Sequence, residues 1–149
     1  MNEKPSSKKT LHERFNDERI EWTNKLKELA QKSRYLDKLT ELQVDVISER
    51  QIAVDYYHHI KSVLISLNRE FKVEYAKKYD FYTNGSNIRY PNESSKNAKI
   101  QSDLCSIIEK KDSLENHMSF MQETIKTIDN LIFGIKHRLS IEEFVRGLK

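Results

Sequence analysis

The sequence predicts an all-α protein: a long helical region, a central loop and a C-terminal helix with heptad patterning. Three observations predict it. Only three glycines and two prolines occur in 149 residues, too few to punctuate a β fold. One third of the residues are charged and 37% are hydrophobic, a balance that suits long solvated helices. Apolar residues recur at three- and four-residue steps over most of the chain. Elongated helices expose much of their surface, so a single chain has a thin core and a partner chain is expected to complete it.

Residues 1–10 are polar and aperiodic, and read as a disordered tail. From Ser6 to Asn84 there is neither glycine nor proline, so residues 11–84 read as one helical region. Its apolar positions are Trp22, Leu26, Leu29, Leu36, Leu39, Val46, Ala53, Tyr57, Ile60, Leu64, Leu67, Phe71 and Tyr75. The stripe weakens between Gln31 and Arg34, which predicts a short break there and a new helix starting near Ser33 or Asp37. Around Val44–Ile47 and Gln51–Tyr57 more than one face is apolar, which predicts two contact surfaces, within and between chains.

Asn84-Gly85 is a helix C-terminal signal, with glycine expected in the left-handed conformation. Residues 85–97 then read as a flexible loop, since Tyr90-Pro91 blocks a helix. Residues 98–149 read as an oligomerisation helix followed by a terminal turn. Leu114, Met118, Met121, Ile125, Ile128, Ile132, Ile135 and Leu139 follow at alternating four- and three-residue steps. Isoleucine at successive seam positions leans toward assemblies larger than a parallel dimer. The competing arrangement is antiparallel pairing with the first helix inside one chain. Ser140-Ile-Glu-Glu143 has capping-box form and predicts a separate terminal turn anchored by Phe144.

No catalytic constellation or metal-binding spacing is present. His58 and His59 are adjacent and point to different sides of a helix, and His117 and His137 lie twenty residues apart. Phosphate-cradling glycine patterns are absent, so neither enzyme nor cofactor is expected. Cys105 is the single cysteine, and no apolar run is long enough for a membrane span, so a reducing cytoplasm is the expected compartment.

Charge is distributed unevenly. Residues 1–60 carry eleven basic and eleven acidic side chains, residues 61–99 eight and four, and residues 100–149 seven and eight. The basic excess falls on the end of the long helix. Arg69, Lys72, Lys77 and Lys78, with Arg89 in the loop, offer an electrostatic track for single-stranded nucleic acid. Tyr79, Phe81 and Tyr82 offer rings for base stacking, and Tyr90, Lys96 and Lys99 extend the same surface. Core packing of the aromatics and dipole compensation by the lysines are the bland reading of the same residues. An oligomer would repeat a weak site and gain avidity.

Two segments carry a resemblance to a known family. Val73-Glu-Tyr-Ala-Lys-Lys-Tyr-Asp-Phe-Tyr-Thr-Asn-Gly85 resembles a basic helix ending in an Asp-aromatic-Tyr motif and a glycine loop. Ile135-Lys136-His137, with Phe144 and Gly147 beyond it, resembles a C-terminal signature. Both resemble the UvsY family, recombination mediators of T-even-like bacteriophages. The resemblance implies a closed hexameric or heptameric assembly that binds single-stranded DNA in an infected bacterial host. It also implies contacts with a recombinase and a single-strand-binding protein during DNA recombination and repair. The family's basic pair maps onto Ala76 and Lys78, so its first position departs here, with Lys77 alongside and Lys72 one turn earlier. The alternative function is a coiled-coil scaffold or adaptor that binds no nucleic acid; a nuclease or transferase subunit lacks its constellation.

Overall fold

Thr10 starts the first helix. Its side chain accepts a hydrogen bond from the Glu13 amide, and the Glu13 carboxylate accepts one from the Thr10 amide, a reciprocal capping box. The helix α1 then runs over Leu11–Lys32. A single 3-10 turn, Leu36–Lys38, separates it from α2, Leu39–Asp80. The break therefore falls where the apolar stripe weakens. A π-helical turn, Phe81–Gly85, ends α2, and α3 (Glu93–Asp103) and α4 (Cys105–Gly147) follow. The computed structural model describes residues 7–147, and among them there is no strand. Residues 1–6 of the expected tail, and the last two residues, lie outside the described residues.

Four expectations need correction. No glycine has a positive φ, so Gly85 does not end α2 through the left-handed conformation. The helix instead widens into a π turn, and Gly85 leaves room for a ring: a Cβ there would stand 3.2 Å from Phe81 Cδ2. The flexible loop expected over 85–97 is shorter, because Asn92 caps α3 by accepting from the Ser95 amide at 2.8 Å. The block expected from residue 98 is two helices, broken at Leu104. Finally, Ser140 opens no terminal turn. Its hydroxyl donates to the Lys136 carbonyl, α4 continues unbroken, and the expected anchor Phe144 is 68% exposed.

The described residues form two compact units, one running up to Tyr57 and resuming at Ser119, the other spanning His58–Met118. In the first unit the interior is a seam of Phe15, Trp22 and Leu29 from α1, Leu39, Leu42, Val46 and Ala53 from α2, and Met121, Ile128 and Ile135 from α4. Most of these recur every seven residues, the spacing of helices packed along their length. Polar cross-links fix the register: Lys25 to Glu49 at 3.0 Å, Arg50 to Asp129 at 2.6 Å, and the Gln122 amide to the Tyr57 hydroxyl at 2.9 Å. Arg138 donates to the Ser33 carbonyl, tying α4 to the break after α1.

The α4 seam is therefore used inside the chain. Met121, Ile128 and Ile135 are buried in the first unit and Leu114 in the second. Met118, Ile125, Ile132 and Leu139 are half-buried shoulders rather than seam positions. His117 and Thr124 take the alternate seam places and are buried. The Thr124 hydroxyl donates to the Phe120 carbonyl at 2.9 Å, so its polar atom enters the interior already satisfied.

Candidate nucleic-acid interface

The second unit carries the basic and aromatic end of α2. Its buried apolar residues are Ile60, Leu64, Ile100, Leu104 and Leu114. Toward the end of α2 the contacts become polar. Three tyrosines spaced along this end donate their hydroxyls to α3: Tyr75 to Asn97, Tyr79 to Glu93 at 3.1 Å, and Tyr82 to Asp103. Their rings also meet. Tyr75 lies 6.0 Å from Phe71 and stacks on Tyr79 at 6.5 Å, and Tyr82 meets Tyr90 edge-on at 5.4 Å. Lys111 sits over the Phe71 ring at 4.4 Å.

The expected DNA-binding residues separate into two classes. Arg69, Lys72 and Arg89 are exposed, and among the described residues no carboxylate pairs with them. Lys77 pairs with Glu74 on its own helix at 3.2 Å. Lys78 lies 3.9 Å from Asp103. Lys99 pairs with the same Asp103 at 3.0 Å, and Lys96 pairs with Glu93 at 3.2 Å. The Lys96 ammonium also stands 4.6 Å from the centre of the Tyr79 ring and donates to the Thr83 hydroxyl at 3.0 Å.

Among the three stacking candidates, Phe81 is the most open at 50% exposure. It meets Tyr82 edge-on at 5.2 Å. One face of Tyr79 is covered by Lys96, and Tyr82 is half-buried with its hydroxyl committed to Asp103. These contacts set the electrostatics. The Tyr82 hydrogen bond and the Lys99 ammonium hold the Asp103 carboxyl below its ordinary range. Lys96 and then Tyr79 do the same for Glu93. In return the hydrogen bond to Asp103 raises Tyr82 and Lys99.

Glu93 and Asp103 are the site residues that the sequence pattern left unmarked. Their signal is present as Glu93-Lys96 and Lys99-Asp103, spaced for helical ion pairs. It is visible only once residues 93–103 are known to be helical.

A groove of about 490 Å³ lies in the first unit between α1 and α2, lined by Glu18, Glu21, Trp22, Lys25, Ile52 and Tyr56. Tyr56 donates to Glu18, and Lys25 sits over the Trp22 ring at 5.0 Å while pairing with Glu49. Burial first, then the bond to Glu18, raises the Tyr56 hydroxyl far above its usual range. These contacts hold the groove's walls together. Among the described residues there is no group of three metal-ligating side chains, and no helix long and apolar enough to cross a membrane.

No family model, curated protein or solved structure matches the chain.

Proposed function

We propose that the protein binds single-stranded DNA through the α2 end of the second unit and acts as an oligomeric recombination mediator. The observation that carries the binding reading is the clustering of cations and rings there. Exposed Arg69 and Lys72 lie within one turn on α2, followed along the chain by Phe81 and Arg89, with Lys78, Lys96 and Lys99 around the tyrosine contacts. Cations track a phosphate backbone, and an open ring accepts any base. The mediator role, with its recombinase and single-strand-binding partners, rests on the resemblance to the UvsY family.

Self-association is the second part of the proposal. The first unit leaves large apolar side chains in solvent: Val44 and Ile47 on α2, and Phe133, Ile141 and Phe144 on α4. Faces of this kind favour burial against another chain. The half-buried Ile125 and Ile132 of the same unit would border such a contact, and Met121, Ile128 and Ile135 would support it from inside that unit.

Native mass with and without a labelled oligonucleotide, over a salt series, tests both parts. The expected result is an oligomer whose single-strand binding is tolerant of sequence and falls steeply with salt. An oligomer that ignores single strands at low salt would favour the scaffold reading, to which the same exposed apolar faces are suited.

A further inference from the structure

The two carboxylates of α3 occupy matching surroundings. Glu93, in the first turn, accepts from the Tyr79 hydroxyl and pairs with Lys96. Asp103, in the last turn, accepts from the Tyr82 hydroxyl and pairs with Lys99 and Lys78. Each is one anionic group held by one phenol and one or two ammonium groups. Those donors are also what would hold a phosphodiester oxygen.

Helix stability explains Glu93 but not Asp103. An acid is favoured at a helix N-terminus and disfavoured at a C-terminus, where Asp103 lies. Lys99 ahead of Asp103 is also the weaker order of an i,i+4 pair. Asp103 is nonetheless well covered, its side chain only 16% exposed, and it draws in Lys78 from another helix. Its role is best matched to the lysines it occupies.

We propose that Glu93 and Asp103 hold the places of two strand phosphates, so that α3 masks part of the binding surface until a strand displaces its carboxylates. This inference rests on reading the α2 end as the single-strand site. Binding then exchanges carboxylate for phosphate at Lys96, Lys78 and Lys99, with the two tyrosine hydroxyls passing to the new anion. While the carboxylates are in place, they offset two of these three positive charges and leave less for strand capture. Arg69, Lys72 and Arg89 make the first contacts.

The test is binding of a fluorescein-labelled oligothymidine over a salt series, using the full chain and the variants Glu93→Gln, Asp103→Asn and the two together. Glu109→Gln is the control, because Glu109 is an exposed acid of the same unit outside both clusters. The double variant is expected to bind about tenfold more tightly at low salt. Its logarithmic salt slope should steepen by about 1.4, near 0.7 for each of the two phosphates taken up. Glu93 is 66% exposed on its side chain, so Glu93→Gln keeps the fold and alone should gain roughly threefold. Unchanged affinity and slope in Glu93→Gln and the double variant, with wild-type binding intact, would overturn the masking and leave the strand site standing. Should Asp103→Asn fail to fold, an unchanged Glu93→Gln overturns it by itself. An equal gain in Glu109→Gln would reduce the effect to general charge and overturn it too. No binding by any form at low salt would remove the strand reading and the masking together.

Discussion

The two units are built by different chemistry from the same two long helices. The first is closed by an apolar seam, with Phe15, Trp22, Val46, Ala53, Met121, Ile128 and Ile135 all buried and ion pairs along the seam's edges. The second buries fewer apolar side chains and is fastened at its α3 side by hydroxyls, carboxylates and ammonium groups. Apolar burial is indifferent to a charged ligand. A polar fastening uses groups that a polyanion also binds. The difference suits the first unit to stability and, on the proposed function, the second to recognition.

The largest expected effect comes from the apolar seam. Ile128→Ala removes a fully buried side chain and should cost about 2–5 kcal/mol in denaturant unfolding. Phe133→Ala, at a position 73% exposed, should change the stability of the single chain by less than about 0.5 kcal/mol while weakening self-association. Equal losses in the two would erase the distinction between the seam and the outward face.

A smaller loss is expected at the start of α1, where Thr10→Ala removes the capping box and should cost about 1 kcal/mol. The second unit should answer to pH instead. The carboxyls of Asp103 and Glu93 are depressed in the folded chain, so their contribution is complete above the ordinary carboxylate range, near pH ~4. It is lost as pH falls through the depressed folded values. Wild type and the Glu93→Gln/Asp103→Asn variant should therefore differ in melting temperature at neutral pH and converge in acid. A difference that persists below that range would mean that packing, not charge, holds α3. The smallest effect is Gly85→Ala. With an ordinary backbone there and only the Phe81 ring to displace, it should shift stability by under about 0.5 kcal/mol, whereas a left-handed glycine would cost more.

Much of the fold was legible before any coordinates. Absence of glycine and proline marked the long helices, and the weakened stripe at Gln31–Arg34 marked the break. The seam register was less legible. Positions 114, 121, 128 and 135 belong to both possible seams, and apolarity selected 118, 125 and 132 as their partners. The chain instead buries His117 and Thr124, which a count of apolar residues passes over. Helix α3 was hidden because Pro91-Asn92 followed by serines has the composition of a loop, although Asn92 is its N-cap. The lysine partners at the site depend on tertiary pairing: Lys78 and Asp103 are twenty-five residues apart, and no local pattern joins them.

The most direct test of the account removes Arg69 and Lys72, two exposed cations near the end of α2. Salt slopes of oligothymidine binding should be compared for wild type and Arg69→Ala with Lys72→Ala. The account predicts weaker binding with native helicity and native mass, and a slope shallower by about 1.4, or roughly 0.7 per lost contact. An unchanged slope and affinity would contradict it, because Arg69 and Lys72 would then touch no strand.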